Sequence, residues 1–115
     1  MSRLRDALDQ IALARRYNLQ RVETVPPDRW FVIPAGNVSH VAWQVGHLAA
    51  SEYRLCLERL RPRTRADEEL VSDDFLNTFA RESLPAAETG FTAEQIRAVF
   101  DRVHARVLEE LPSYP

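Results

Sequence analysis

The polar side chains best suited to chemistry lie in one stretch, residues 37–61, NVSHVAWQVGHLAASEYRLCLERLR. His47 is the leading candidate, because an imidazole beside the apolar stripe of a helix can point into a bundle groove, where facing helices commonly build metal sites. The alternative role for His47 is a hydrogen-bonded histidine at the edge of the core, and the spacing alone favours it. His40 lies seven residues earlier, in the first turn of the same helix, and we expect it to be exposed.

Glu52 interrupts the apolar stripe of this stretch, and Asn18 interrupts the stripe of an earlier helix. A carboxylate in such a position is costly to bury without a partner. The two residues could orient a histidine or bind a polar group of a substrate. Alternatively, they pair with each other, or Glu52 pairs with an arginine, only to satisfy buried polar atoms. The stripe that Glu52 interrupts consists of Val41, Val45, Leu48 and Leu55.

Other polar residues are weaker candidates. His104 could face His47 across a groove, although we expect it at the surface. Cys56 is expected to be a small buried hydrophobe and not a nucleophile. A cluster of arginines should form a solvated cap, since cations suit a helix C-terminus; these are Arg59, Arg61, Arg63 and Arg65. The sequence has no HExxH, CxxC, phosphate-binding glycine loop or serine-nucleophile motif, so the catalytic residues are unknown at this stage.

Two long helices should carry Asn18, His47 and Glu52. The first is predicted from about Ser2, its N-cap, to Thr24, before a proline pair that stops it. The second is residues 37–61, capped by Asn37 or Ser39. The connector between them contains adjacent aromatics, Trp30 and Phe31, which we expect to cap the end of a bundle.

The second half of the chain predicts a short helix and a third long one. Residues 70–79 should form a single short helix that lies over the bundle. Thr92 and Gln95 have the spacing of a capping box, and Phe91 and Ile96 that of a hydrophobic staple, so the third long helix should begin there and continue to Pro112. No segment alternates with a period of two for long enough to predict a strand.

The length indicates one domain, residues 1–115, in a protein of 13.2 kDa, and the helical periodicity without a predicted strand makes that domain all-α. A net charge of −2 and a pI near 5.9 give no broad attraction for nucleic acid. The one cysteine excludes an internal disulfide and suggests a reducing compartment, and no apolar run predicts a membrane span. We therefore expect a cytoplasmic protein.

Three long helices and a short one predict an incomplete up-and-down four-helix bundle, whose open groove is covered by a partner chain or by the rest of a longer protein.

The run VAWQVGHLA, residues 41–49, follows a proline-containing connector and resembles the second helix of the DinB/YfiT-like superfamily. The order of Asp73-Asp74-Phe75, Phe79 and then Phe91-Thr92 to Ile96 is also similar to that superfamily. The resemblance extends from about residue 4 to the end, and its W-x-x-G-H-L core is the most specific part.

This resemblance implies a four-helix bundle, often dimeric, in which three histidines hold a divalent metal ion. His47 matches the histidine of the second helix. The family's other two come from an HxxxH pair on a fourth helix, and this sequence contains no HxxxH. Relatives include thiol-dependent S-transferases and isomerases, so the resemblance implies metal-assisted thiol transfer or hydrolysis. It also implies a zinc or nickel ion and a homodimer. The remaining metal ligands would be supplied by His104, Glu52, a partner chain or water. The alternative is a degenerate, non-enzymatic bundle that binds a partner chain or an apolar ligand through its open groove.

Overall fold

A computed structural model describes residues 3–32, 40–80 and 90–113. These residues form helices and connecting turns and contain no strand, so the prediction of an all-α bundle is confirmed. Across the described ranges, no helix combines the length and the apolar character needed to cross a membrane. The α-helices are α1 (Arg3–Glu23), α2 (Val41–Tyr53), α3 (Arg65–Leu70), α4 (Asp73–Thr78) and α5 (Ala93–Glu110).

The first helix, α1, ends close to the predicted point, ahead of Pro26, and a 3₁₀ turn (Pro27–Arg29) follows. Its predicted N-cap, Ser2, lies outside the described residues. After the turn Trp30 is buried, and its indole N–H donates to the carbonyl of Val25 at 3.1 Å. The carbonyl of Trp30 accepts from the amide of Ala42 at 2.9 Å, which ties the connector to the start of α2. Trp30 thus closes this end of the bundle, as predicted.

The second helix, α2, begins at Val41 and is capped by His40. The His40 Nδ1 atom accepts from the amide of Trp43 at 3.0 Å, and the ring packs edge-on against Phe31 at 5.4 Å. Only 1% of His40 is exposed, so the prediction of an exposed histidine was wrong. The imidazole is turned onto the helix start because it supplies the acceptor that the free amides of a helix N-terminus require. The alternative caps, Asn37 and Ser39, lie outside the described residues.

The buried face of α2 differs from the predicted stripe. Its fully buried positions are mostly small: Ala42, Val45, Gly46, Ala49, Ala50 and Tyr53. Val41 and Leu48 are only half-buried on the flank toward α1, and Leu55 is 57% exposed. Small side chains let α5 and α4 approach closely, and α2 packs chiefly on α5. The helix then continues through a π-helical turn, Arg54–Glu58, in which the amide of Arg59 donates to the carbonyl of Arg54 at 3.0 Å.

The region predicted as one short helix, residues 70–79, contains a break. The helix α3 begins at a capping box formed by Thr64 and Asp67, and it ends at Val71, which is extended. A second cap, Ser72, then starts α4 by accepting from the amide of Phe75 at 3.1 Å. Serine favours such a helix start over a helix interior, which is why the chain forms two short helices instead of one.

The last long helix, α5, begins at the predicted capping box. Gln95 N donates to the hydroxyl of Thr92 at 3.1 Å, and Thr92 N donates to the side chain of Gln95 at 2.8 Å. The ring of Phe91 packs against Phe75 and Phe79, with centroids 5.3 and 6.0 Å apart, and so joins this helix start to α4.

The predicted solvated arginine cap is wrong for two of its four members. Arg61 donates from Nε and Nη2 to both carboxylate oxygens of Glu110, at 3.0 and 2.9 Å, and its guanidinium also forms a bidentate ion pair with the buried Asp67. Arg63 lies over the ring of Tyr53 at 5.3 Å. These contacts connect the end of α2 to α3 and α5, a long-range role that the local spacing of arginines did not reveal. Arg59 and Arg65 are exposed, as predicted.

Asp67 is held ionised by this network. Burial alone would raise its pKa, but hydrogen bonds from Arg61, from the amide of Thr64 and from the hydroxyl of Tyr53 outweigh burial and lower the pKa to about 2. The carboxylate is therefore charged and fully partnered in the interior, which is the condition for burying a charge at acceptable cost.

Candidate functional site around His47

His47 is half-buried on α2, and its ring is anchored by the backbone of another segment. Its Nδ1 atom lies 3.0 Å from the carbonyl oxygen of Phe79, the residue that ends α4. Because a carbonyl can only accept, Nδ1 must carry the hydrogen in this contact. The neutral ring then has its lone pair on Nε2, the nitrogen that faces away from the anchor.

Two further residues of the W-x-x-G-H motif hold this geometry. The indole of Trp43 is stacked on the imidazole of His47, with ring centres 4.7 Å apart and planes 5° apart. Gly46 allows Phe79 to approach, because a Cβ added at Gly46 would lie 2.5 Å from the Phe79 ring. The close approach of Phe79 brings its carbonyl to Nδ1. The motif therefore fixes the plane, position and tautomer of one histidine.

The other ring nitrogen of His47 lies beside a cavity. The hydroxyl oxygen of Ser51 lies 3.5 Å from Nε2, at the outer limit of a hydrogen bond. Both side chains line a cavity of about 410 Å³ between the second half of α2 and the end of α4. Its other walls are Ala50, Arg54, Leu55, Phe79 and Ala80. This volume falls in the range of sites for small molecules, about 300–1,000 Å³.

Glu52 and His104 pair with each other, away from this cavity. The Nδ1 atom of His104 lies 2.9 Å from Oε2 of Glu52, and both side chains are mostly buried. Of the partners weighed for Glu52, the structure thus selects a histidine over Asn18 or an arginine. The expectation of a surface His104 was wrong, because its ring is drawn onto the carboxylate between α2 and α5. Neither residue lines the cavity at His47.

The remaining sequence candidates are also apart from His47. Asn18 lines a separate groove of about 220 Å³ between α1 and α2, opposite Gln44 and among apolar side chains. Cys56 is half-buried, and its pKa is raised by burial and secondarily by the charge of Glu52. A raised pKa favours the thiol over the reactive thiolate, in agreement with the expected structural role.

The donors around His47 fit a metal ion only in part. His47 has the form of a metal ligand, with one nitrogen hydrogen-bonded to a carbonyl and the other available. The described ranges 3–32, 40–80 and 90–113 contain no group of three or more His, Cys, Asp or Glu side chains close enough to hold an ion together. Within those ranges, the chain therefore supplies one suitable ligand and not a complete set.

Sequence reasoning proposed His47 as a site residue but did not propose Trp43, Ser51 or Arg54. Trp43 and Ser51 flank His47 at intervals of four residues, the spacing that places side chains on one face of a helix, so the signal for a shared site was present. Arg54 has no comparable signal, because its position at the cavity depends on where α4 ends.

These features define a helical-bundle protein whose second helix presents a backbone-anchored histidine to a cavity. The chain belongs to the DinB superfamily, whose family model matches residues 10–115. That match confirms the resemblance carried by the W-x-x-G-H-L run. No curated protein and no solved structure matches the chain.

Proposed function

We propose that this DinB-like protein binds a divalent cation, zinc or nickel, with Nε2 of His47 as one ligand. The observation that carries the proposal is the 3.0 Å contact between His47 Nδ1 and the Phe79 carbonyl. Metal-binding histidines almost always donate their other N–H to a carbonyl, carboxylate or water, which fixes the tautomer and increases the basicity of the ligating nitrogen. The stack on Trp43 supports the same role by restricting rotation of the ring.

The other ligands would come from outside the described residues. Catalytic zinc sites commonly have three protein ligands and an open position, so one histidine is insufficient. We propose that a second copy of the chain in a homodimer, together with water or a small-molecule thiol, completes the coordination. Such an ion would lower the pKa of a bound thiol or water, the chemistry needed for thiol S-transfer or hydrolysis.

The chain's own residues would prepare the site for this chemistry. The Phe79 carbonyl holds the proton on Nδ1 of His47, and Trp43 holds the ring plane. The hydroxyl of Ser51, 3.5 Å from Nε2, is placed to donate to a group bound beside that nitrogen. The apolar side chains of Leu55 and Phe79 restrict water on one wall of the cavity.

The test is metal analysis of the purified full chain and of His47→Ala, after exposure to zinc and then to nickel. His104→Ala is the matched control, since it removes a histidine that is also partly buried but does not line the cavity. We expect stoichiometric metal in the wild type and in His104→Ala, and loss of metal in His47→Ala. Retention of stoichiometric metal by His47→Ala would remove His47 from the site.

The surface of α1 favours a second candidate function, in which the bundle binds a partner without catalysis. Among the side chains of α1 that the structure describes, Val22 is fully buried, whereas Leu8, Ile11 and Leu19 are only partly covered. A groove of about 220 Å³ lies beside the end of α1, lined by Asn18 and Val22 of that helix and by apolar side chains of α2. A second copy of the chain would cover apolar surface that a monomer exposes.

Metal analysis combined with sedimentation distinguishes this second function from the metal-binding homodimer. A dimer without bound metal, whose dissociation accompanies unfolding, is the expected result. A stable folded monomer at micromolar concentration would contradict it, because the α1–α2 groove would then remain exposed without loss of structure.

A further inference from the structure

The cavity beside His47 contains a positive charge that the proposed metal site does not use. Arg54 lines this cavity and is exposed. Among residues 3–32, 40–80 and 90–113, no acidic side chain lies within ion-pairing distance of its guanidinium. By contrast, Arg61 at the end of the same helical segment is held by two carboxylates.

The walls around Arg54 combine this charge with hydrogen-bonding groups and apolar surface. Ser51 and His47 supply a hydroxyl and a ring nitrogen, and Leu55 and Phe79 supply apolar surface. In the described part of the chain, the cavity lining includes one arginine and no carboxylate. The local charge is therefore unfavourable for an organic cation and favourable for an anion.

We propose that this cavity binds a small organic anion, a monocarboxylate with a short apolar body. The guanidinium fork of Arg54 would donate to both oxygens of the carboxylate, an arrangement that suits a planar group with a single negative charge. The apolar body would lie against Leu55 and Phe79, with Ser51 donating to a polar group near His47. This inference shares with the proposed function only the location of the site, the cavity beside His47. It adds the class of substrate that the site would bind.

The inference is tested on metal-free, ¹⁵N-labelled full chain with three probes: hexanoate, neutral hexanamide and acetate, at matched ionic strength near pH 7. The amide signals of Ser51, Arg54 and Ala80 report on the cavity. We expect hexanoate to shift these signals and to bind roughly fivefold or more tightly than hexanamide, as a charge-assisted but partly solvated contact would allow. Acetate should bind more weakly than hexanoate, because it lacks the apolar body.

Two variants separate a site from general attraction to a protein surface. Arg54→Gln should lower the hexanoate affinity to that of hexanamide and leave hexanamide binding unchanged. Arg59→Gln, which removes an exposed arginine outside the cavity, should change neither. The inference is overturned if hexanoate and hexanamide bind equally, if acetate matches hexanoate, if the preference survives in Arg54→Gln, or if none of the three cavity signals responds.

The same samples with added zinc keep the two proposals distinguishable. Arg54→Gln retains His47, so it should bind zinc as the wild type does even after losing the preference for hexanoate. If zinc is not bound but the preference for hexanoate persists, the metal proposal fails and the anion site stands. If zinc is bound through His47 and no preference for hexanoate exists, the anion site fails alone.

Discussion

Gly46 and Phe79 are in contact so close that no side chain fits between them. A Cβ at Gly46 would lie 2.5 Å from two carbons of the Phe79 ring and 2.8 Å from a third. Phe79 is fully buried, packed against the rings of Phe75 and Phe91, so it has little room to retreat. Its carbonyl is also the partner of His47. The glycine therefore sets both a packing contact and the geometry of the candidate site.

We predict that Gly46→Ala destabilises the protein by about 1–3 kcal/mol, the usual cost of overpacking a well-filled interior. It should also displace the Phe79 carbonyl from His47. Urea unfolding measures the first effect, and the NMR signals of the His47 ring report the second. Where a helical glycine has free space, alanine stabilises by about 0.4–1 kcal/mol instead. An increase in stability for Gly46→Ala would thus contradict the close contact.

Asp67 provides a test of the buried polar network. We predict that Asp67→Asn costs about 1–3 kcal/mol in urea unfolding at neutral pH, because a neutral amide replaces the buried carboxylate that accepts from Arg61, whereas the pair of Arg61 with Glu110 remains. Asp9→Asn is a matched control, since Asp9 forms an exposed pair with Arg5 at 3.6 Å. That surface pair should be worth less than about 1 kcal/mol. Equal losses in the two variants would contradict the structural role of Asp67.

The pKa of Asp67 also predicts a pH dependence. The pKa is lowered from 3.8 to about 2 in the folded protein. A lowered folded-state pKa stabilises the protein above the unfolded-state value, and this stabilisation disappears as the pH falls from about 4 through about 2. The difference corresponds to roughly 2 kcal/mol. Unfolding measured at several pH values should therefore show a shallower acid loss in Asp67→Asn than in the wild type, and identical slopes would contradict the lowered pKa.

The pair Glu52–His104 should show energetic coupling. We predict that a double-mutant cycle with Glu52→Gln and His104→Ala gives a coupling of about 0.5–3 kcal/mol, as expected for a mostly buried contact at 2.9 Å. Equilibrium unfolding of the wild type, both single variants and the double variant measures it. Additive effects, with no coupling beyond error, would show that the two side chains do not depend on each other.

Local features of this chain were predictable from sequence, because the interactions that decide them lie within a few residues. The Thr92–Gln95 capping box starts α5 where its spacing indicated. The prolines after α1 end that helix, since proline cannot donate the next hydrogen bond. The break between α3 and α4 is also local, but the apolar residues on either side concealed the helix start at Ser72.

Features decided across the fold were not predictable in the same way. The large aliphatic residues of α2 suggested its core face, yet the core lies against Ala42, Ala49 and other small residues, because close packing of helices selects for size as well as apolarity. Arg61 meets Glu110, and Glu52 meets His104, across about fifty residues of sequence, so their spacing carried no signal. At His47, the sequence indicated the residue but not its partner, Phe79, which another helix supplies.

Trp43 should influence metal binding more than folding. Its indole is only half-buried, and its stack on His47 restricts a ring whose Nδ1 is already held by the Phe79 carbonyl. We predict that Trp43→Leu keeps the fold and the ligand but weakens zinc binding about tenfold, since residues that orient a metal-bound histidine contribute about 10–100-fold to affinity. Competition with a zinc chelator measures the affinity, and urea unfolding of the metal-free protein measures stability. Trp30→Phe is the control, because Trp30 is buried at the end of the bundle and should reduce stability without a specific loss of zinc affinity. If Trp43→Leu lowers stability strongly and leaves zinc affinity unchanged, the stack is part of the core packing and does not position His47.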